Sequence, residues 1–321
     1  MTTGLAPSQT TLLAADRWRV RVDVGRVPVT DSARRGAVAV AVQRGVARRA
    51  EAGTAGPLIL QARAEPDGVA LEVWGPSDTA AEEAAGALEA AVAWVGLRDD
   101  LDGFAQVANA DRVTRRLLRD VGEVRLSRLP RVGEALGRAV LGQLVQSVEA
   151  RRSTAQVAAL AGTPAPGGLW AWPTARQIGS APAWALRRCG VSARGTRALH
   201  EGAIADRRLA ESAAARDWAR LDRQLRALPG VGVWTSAETR LALGDADAVS
   251  VGDYHLPSLV GSVLGEPGGR RADYDDEGML APFAPHRGRV VQLIGRAAAQ
   301  GLVSGPARRG PRAALSAHRY W

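Results

Sequence analysis

Lysine is absent from this 321-residue chain, and all 42 basic residues are arginine. No side-chain ammonium is therefore available to form a Schiff base with a carbonyl substrate. A base composition favouring Arg and Ala codons accounts for the absence, but the chemical exclusion holds whatever its cause. The single cysteine, Cys189, rules out an intramolecular disulfide framework, a four-cysteine zinc site and a four-cysteine iron–sulfur cluster. No stretch approaches the roughly 18 consecutive apolar residues of a membrane span. The opening segment MTTGLAPSQTTLLAADRW lacks the basic-then-apolar build of a secretion signal. A cytoplasmic chain without membrane contact is the expectation.

What is present is a globular composition, 46% apolar and 23% charged. The length supports one large domain or two to three smaller ones. The formal net charge of +9 is unevenly spread. Residues 1–110 hold 11 Arg against 14 acidic residues, and residues 111–321 hold 31 against 19. A basic remainder behind an acidic front suits either a polyanionic partner or a solubilising arginine-rich surface.

Residues 1–15 read as a flexible tail. Trp18–Val24 alternates as a half-buried strand does. Leu58–Ala64 and Val69–Trp74 flank the turn residues Glu65-Pro-Asp-Gly68 and read as a hairpin. The Ala-rich Thr79–Trp94 reads as a helix, closing a small α+β unit over residues 16–95. From 96 to 304 the signals are helical: Arg112–Asp120, Val132–Leu160, Ala181–Arg188, Gly195–Ala205, Leu209–Leu228, Trp234–Leu243, Tyr254–Leu264 and Gly288–Gln300, separated by Gly/Pro clusters. Residues 305–321 form a basic tail. The fold class is α+β, a small β-rich N-terminal domain followed by an all-α bundle.

The most informative segment is Leu228-Pro-Gly-Val-Gly-Val-Trp-Thr235, with helical pattern on both sides. Pro229 and Gly230 end one helix, Gly232 permits a tight turn, and the next helix begins at about Val233. Consecutive backbone N–H groups at a helix N-terminus suit a phosphate oxygen. Taken alone, Pro-Gly-x-Gly also reads as an ordinary αα-hairpin. Further on, Ser250-Val-Gly-Asp-Tyr-His-Leu-Pro257 places Asp253 just before a helical segment, 21 residues after Gly232. Arg138-Ala-Val-Leu-Gly-Gln-Leu-Val145 is a third distinctive stretch. Together these resemble the helix-hairpin-helix DNA glycosylase superfamily, and within it the bacterial alkylpurine class, 3-methyladenine DNA glycosylase II. The resemblance is strongest over residues 130–260.

That resemblance implies a monofunctional DNA glycosylase of base excision repair, which flips a damaged nucleotide and cuts its N-glycosidic bond. Asp253 would stabilise the oxocarbenium-like transition state; it is equally suited to capping a helix. Members with lyase activity carry a lysine where this chain has Trp234, so none is expected here. Trp234 and Tyr254 match pocket aromatics of the class, Trp234 stacking on a cationic alkylated purine or filling core. Glu238 and Gly295 stand where the class has aromatic rings. Glu238 either attracts a cationic base or is a solvated helix residue. With two rings gone, lesions larger than methyl should be tolerated and neutral bases such as hypoxanthine released poorly.

Leu144 aligns with the wedge that replaces the flipped nucleotide, although Leu136, Val140, Leu144 and Val148 also make an i+4 core stripe. Gln143 beside it would reach a base edge. Gly230, Gly232, Thr235, Arg287 and Arg289 are further candidate DNA contacts. The family implies no organic cofactor, but a structural monovalent cation held by backbone carbonyls near Arg226, Leu228 and Val231. The expected partner is double-stranded damaged DNA, bound by a monomer in the cytoplasm. A lesion-binding protein with little catalysis, and a non-enzymatic DNA-binding module, are the other readings.

Overall fold

In β4 (Pro57–Glu65) consecutive side chains Leu58, Ile59 and Leu60 are all buried, so both faces of this strand are covered. Side chains alternate across a strand. Leu58, Leu60 and Ala62 meet Ala87, Ala91 and Trp94 of α1 (Ala81–Trp94), while Ile59 packs with Leu169 and Ala171 on the other side. The computed structural model describes residues 6–14, 40–43, 46–65, 68–265 and 278–303. β1 (Ala6–Ala14), β2 (Val40–Gln43), β3 (Val46–Ala52), β4 and β5 (Gly68–Gly75) form one antiparallel sheet in the order β1-β5-β4-β3-β2. The expected hairpin is β4–β5, closed by the pair Glu65 and Gly68.

Two sequence expectations change. Ala6–Ala14, read as part of a flexible tail, is the edge strand paired with β5. β2 and β3 add a further hairpin that composition did not flag. The expected strand Trp18–Val24 and the basic tail 305–321 lie outside the described residues.

The bundle follows as α2 (Phe104–Ala110), α3 (Arg112–Val121), α4 (Val132–Gly142) and α5 (Ser147–Ala161). A short hairpin, β6 (Thr163–Ala165) and β7 (Leu169–Ala171), then lies against β3 and β4. Next come α6 (Ala175–Ser180), α7 (Ala183–Arg188), α8 (Ala193–Ala214), α9 (Trp218–Arg226), α10 (Val233–Ala242), α11 (Leu256–Leu264) and α12 (Arg287–Ala299). The expected continuous helix 132–160 is broken at residues 143–146, between α4 and α5. The expected helix 209–228 is split between α8 and α9, with Arg216 at φ 53° in the turn.

The bundle has two cores. One gathers Leu136, Val140 and Leu141 of α4 with Leu199, Leu221, Leu225, Leu228 and Val231. The other gathers Phe104 and Leu117 with Val249, Val260, Val290 and Ile294. The sheet is pinned to the first by charge. Arg49, wholly buried, donates to Glu134 Oε2 at 2.6 Å and to Glu51 Oε1 at 2.7 Å, and Arg138 donates to Glu134 Oε1. Removing one member of such a buried group costs about 3–5 kcal/mol.

Candidate active site and nucleic-acid interface

The hairpin joins α9 to α10. Asp217 caps α9 by accepting from the Arg220 amide at 2.9 Å, and Leu221 and Leu225 bury its inner face. The chain then turns through Leu228 and Val231, both buried, whose backbone is closed by Val231 N donating to Leu228 O at 3.1 Å. Gly230 sits at φ 89°, and a Cβ there would lie 2.7 Å from Arg194 Cγ and 2.9 Å from Arg194 O. Glycine is required by conformation and by space. Gly232 differs: its φ is −99° and a Cβ would meet nothing within 4 Å. It is the N-cap of α10, no side chain caps that helix, and Val233 is exposed. The first N–H groups of α10 therefore face outward with the positive end of the helix dipole behind them.

Gln143 and Thr235 support this turn. Gln143 Nε2 donates to Gly230 O at 2.9 Å and to Thr235 Oγ1 at 2.7 Å. Both residues were expected to contact DNA. The structure instead gives the Gln143 amide nitrogen to the hairpin and buries Thr235 as its acceptor. Immediately after Gln143 the helix is broken, and Leu144 adopts φ 56° with its side chain 96% exposed. Leu136 and Val140 are buried, whereas Val148 is also exposed, so the i+4 stripe does not continue as core. A leucine held in a left-handed conformation and displayed to solvent is costly on both counts.

Asp253 lies opposite the start of α10. Its Oδ1 accepts from the amides of His255 at 2.7 Å and Leu256 at 2.9 Å, at the entry to α11. Its Oδ2 accepts from the Trp234 indole N–H at 3.1 Å. One side chain thus holds the entry to α11 through Oδ1 and meets the Trp234 indole through Oδ2. Trp234 lies over α4, where a Cβ on Gly142 would sit 3.2 Å from its ring. Tyr254 is exposed and meets His255 edge-on at 4.8 Å.

Glu238 follows Trp234 by one helical turn and shares its face of α10. It is half-buried. Its Oε1 accepts a short hydrogen bond from the Ser250 hydroxyl. Burial pushes its carboxyl up from the ordinary glutamate range; the Ser250 hydrogen bond offsets part of this, and the negative charge of Asp253 adds to it. Ser250 was not singled out from sequence. Its only signal there is its place three residues before Asp253. On α12 a Cβ at Gly295 would meet nothing within 4 Å, so the space beside it is open.

The two arginines expected to hold phosphate are otherwise engaged. Arg287 forks onto Asp247, with Nε at 2.9 Å from Oδ1. Arg289 is 1% exposed and donates to Asp99, Val124 O and Asp100 O. It pins α12 to the loop after α1. A cavity of about 670 Å³ lined by Arg128, Arg131, Asp206 and Trp218 shares no residue with the Asp253 site. Among the described residues no helix is long and apolar enough to cross a membrane.

The overall fold matches known structures. A 3-methyladenine DNA glycosylase from Archaeoglobus fulgidus superposes with a TM-score of 0.67 over 83% of this chain and 91% of that one, at 19% identity. An 8-oxoguanine glycosylase/lyase from Clostridium acetobutylicum, in complex with double-stranded DNA containing cytosine opposite 8-oxoguanine, gives 0.58 over 84% and 100%, at 12% identity. The chain has the helix-hairpin-helix DNA glycosylase fold. No family model matches the sequence, and no curated protein does. In this glycosylase fold the hairpin belongs to one bundle core and the Asp253 segment to the other, so Trp234 and Asp253 meet across the seam between them.

Proposed function

We propose that the protein is a monofunctional DNA glycosylase that removes N3- or N7-alkylated purines from duplex DNA. The observation that carries this reading is the Asp253 carboxylate, one oxygen fixed by two backbone amides and the other by the Trp234 indole, beside an uncapped helix start and an exposed Leu144. Backbone N–H groups after Gly230 hold one phosphate near the lesion. Leu144 enters the stack as the damaged nucleotide leaves it, offsetting a few kcal/mol of unstacking. As the C1′–N bond lengthens, positive charge gathers on the sugar and Asp253 stabilises it. An alkylated purine is already cationic, so it departs as a neutral base. The Trp234 ring face attracts that cation by roughly 0.5–2 kcal/mol, and glycine at 295 in place of a ring would admit substituents larger than methyl.

A monovalent cation suits the hairpin turn, where the carbonyls of Arg226, Leu228 and Val231 offer the oxygen ligands such ions take. Leu228 O accepts from Val231 N and keeps a second lone pair. A bound cation would stiffen the turn and favour the nearby phosphate. DNA would be bound by the chain as a monomer in the cytoplasm.

The experiment is single-turnover base release from duplexes carrying one defined lesion each, followed by alkaline cleavage. Release of 7-methylguanine is expected, with a strand break only after alkali. Borohydride should trap no side-chain imine, because the chain has no lysine. Binding to lesion duplexes without release of any base would leave a lesion-binding protein in place of an enzyme.

A further inference from the structure

The site contains two carboxyl groups, and only one is used above. Glu238 projects from the same face of α10 as Trp234, whose indole already touches Asp253. Its Oε1 is held by Ser250, which lies on the segment leading to Asp253. Among the described residues Oε2 has no hydrogen-bond partner, and it is not sealed from solvent. One oxygen is fixed by Ser250 and the other is not engaged by a described residue. We propose that Glu238 is the proton donor to the departing base, extending the substrate class from cationic alkylpurines to neutral purine lesions. This inference rests on the glycosylase reading and deepens it.

The chemistry follows from what each base needs. A neutral purine leaves poorly, because the electron pair of the broken C1′–N9 bond would make it an anion. A proton delivered to a ring nitrogen such as N7 or N3 lets it leave neutral. In the proposed step the Glu238 O–H bond breaks and the proton passes to the base as the C1′–N9 pair moves onto the purine. Water then adds its oxygen to C1′ and releases one proton, and Glu238 regains a proton from solvent. The net change is hydrolysis, with no other reactant.

The surroundings favour a protonated Glu238. Burial raises its proton affinity and the Asp253 charge adds to it. The other acids on neighbouring elements are neutralised by arginine: Asp222 and Asp245 by Arg240, and Asp247 by Arg287. Arg138 of α4 is taken by Glu134. Two carboxyls whose surroundings drive their proton affinities apart divide acid and electrostatic roles between them. The sequence alone led to the opposite expectation for neutral bases, from lost aromatic stacking. Glu238 replaces one of those rings with a group that can do chemistry.

The test is Glu238→Gln, which keeps size and accepts from Ser250 but carries no transferable proton. Single-turnover release is compared for hypoxanthine and 7-methylguanine in otherwise identical duplexes. Hypoxanthine release should fall about 100-fold or more, the scale of a lost general acid, and by at least about tenfold more than release of 7-methylguanine. In the unmodified enzyme hypoxanthine release should decline as pH rises through the Glu238 titration, and the variant should lack that limb. Ser250→Ala removes the hydrogen bond that favours the charged form, so the decline should move to higher pH. Equal losses on both lesions, no loss on hypoxanthine, or an unmoved pH profile in Ser250→Ala would overturn the proposal. An unmodified enzyme that releases 7-methylguanine but no hypoxanthine would also overturn it and leave the glycosylase reading standing. Release of neither base would bring down both.

Discussion

At the N-terminal end of α4, Glu134 is sealed from water between the guanidiniums of Arg49 and Arg138. Ten residues on, at the C-terminal end, Leu144 stands in solvent on a left-handed backbone. The two ends lie about 15 Å apart along one helix axis. At the first, a charged residue is buried and its partners offset the desolvation. At the second, an apolar residue is exposed with nothing in the free protein to offset it. A compensated violation of the burial pattern holds a fold together; an uncompensated one marks where a partner binds.

The largest expected effect tests the compensated end. Glu134→Ala should lower stability by about 3–5 kcal/mol, because Arg49 is left buried with one partner fewer. Urea unfolding measures this, and base release per folded molecule should be unchanged at low temperature. A loss under about 1 kcal/mol, the ordinary surface-pair value, would mean that the sheet is not pinned there. Next is Asp253→Asn, at the other end of the molecule's logic. Stability should change little, since the amide oxygen can still accept from His255 and Leu256, while base release falls at least roughly 100-fold. A near-normal single-turnover rate would remove Asp253 from the mechanism.

Two smaller effects sharpen the contrast. Gly232→Val should fold normally, because its φ is ordinary and the space is open, yet bind damaged and undamaged duplex on the order of tenfold more weakly by blocking one phosphate. Gly230→Val should fail to fold, since its Cβ would collide with Arg194. If Gly232→Val bound DNA normally, the hairpin would be structural only. Leu144→Gly should leave stability unchanged or raise it by about 1 kcal/mol, through relief of the left-handed strain. The same change should slow release from duplex DNA. A variant that lost stability would show that Leu144 packs against the protein instead.

The hairpin, the start of α10 and Asp253 were legible because each is written locally: glycines for the turn, and an acid placed before a helical pattern. The break after Gly142 was not, because Leu136, Val140, Leu144 and Val148 keep helical spacing although the chain does not remain helical. Nor were the arginine pairings legible. Arg289 meets Asp99 across 190 residues of sequence, and no local pattern distinguishes such a pairing from a surface charge awaiting phosphate. The bond between Gln143 and Thr235 was not legible, since it is set by tertiary packing of α4 on α10. The first strand was missed because Ala6–Ala14 has the composition of a tail, and its pairing with β5 is not written locally.

Arg289 also bears on how the chain is made. During synthesis the first bundle core, built from residues 132–243, has all its parts long before α12 leaves the ribosome. The second core waits, because its helices come from both ends of the bundle: α2 and α3 early, α12 last. The hairpin and Trp234 are assembled with the first core, and the Asp253 segment settles only with the second. A nascent chain is thus able to shape the hairpin while Asp253 is still without a fixed place, and the arrival of Arg289 at Asp99 is among the contacts that complete the bundle.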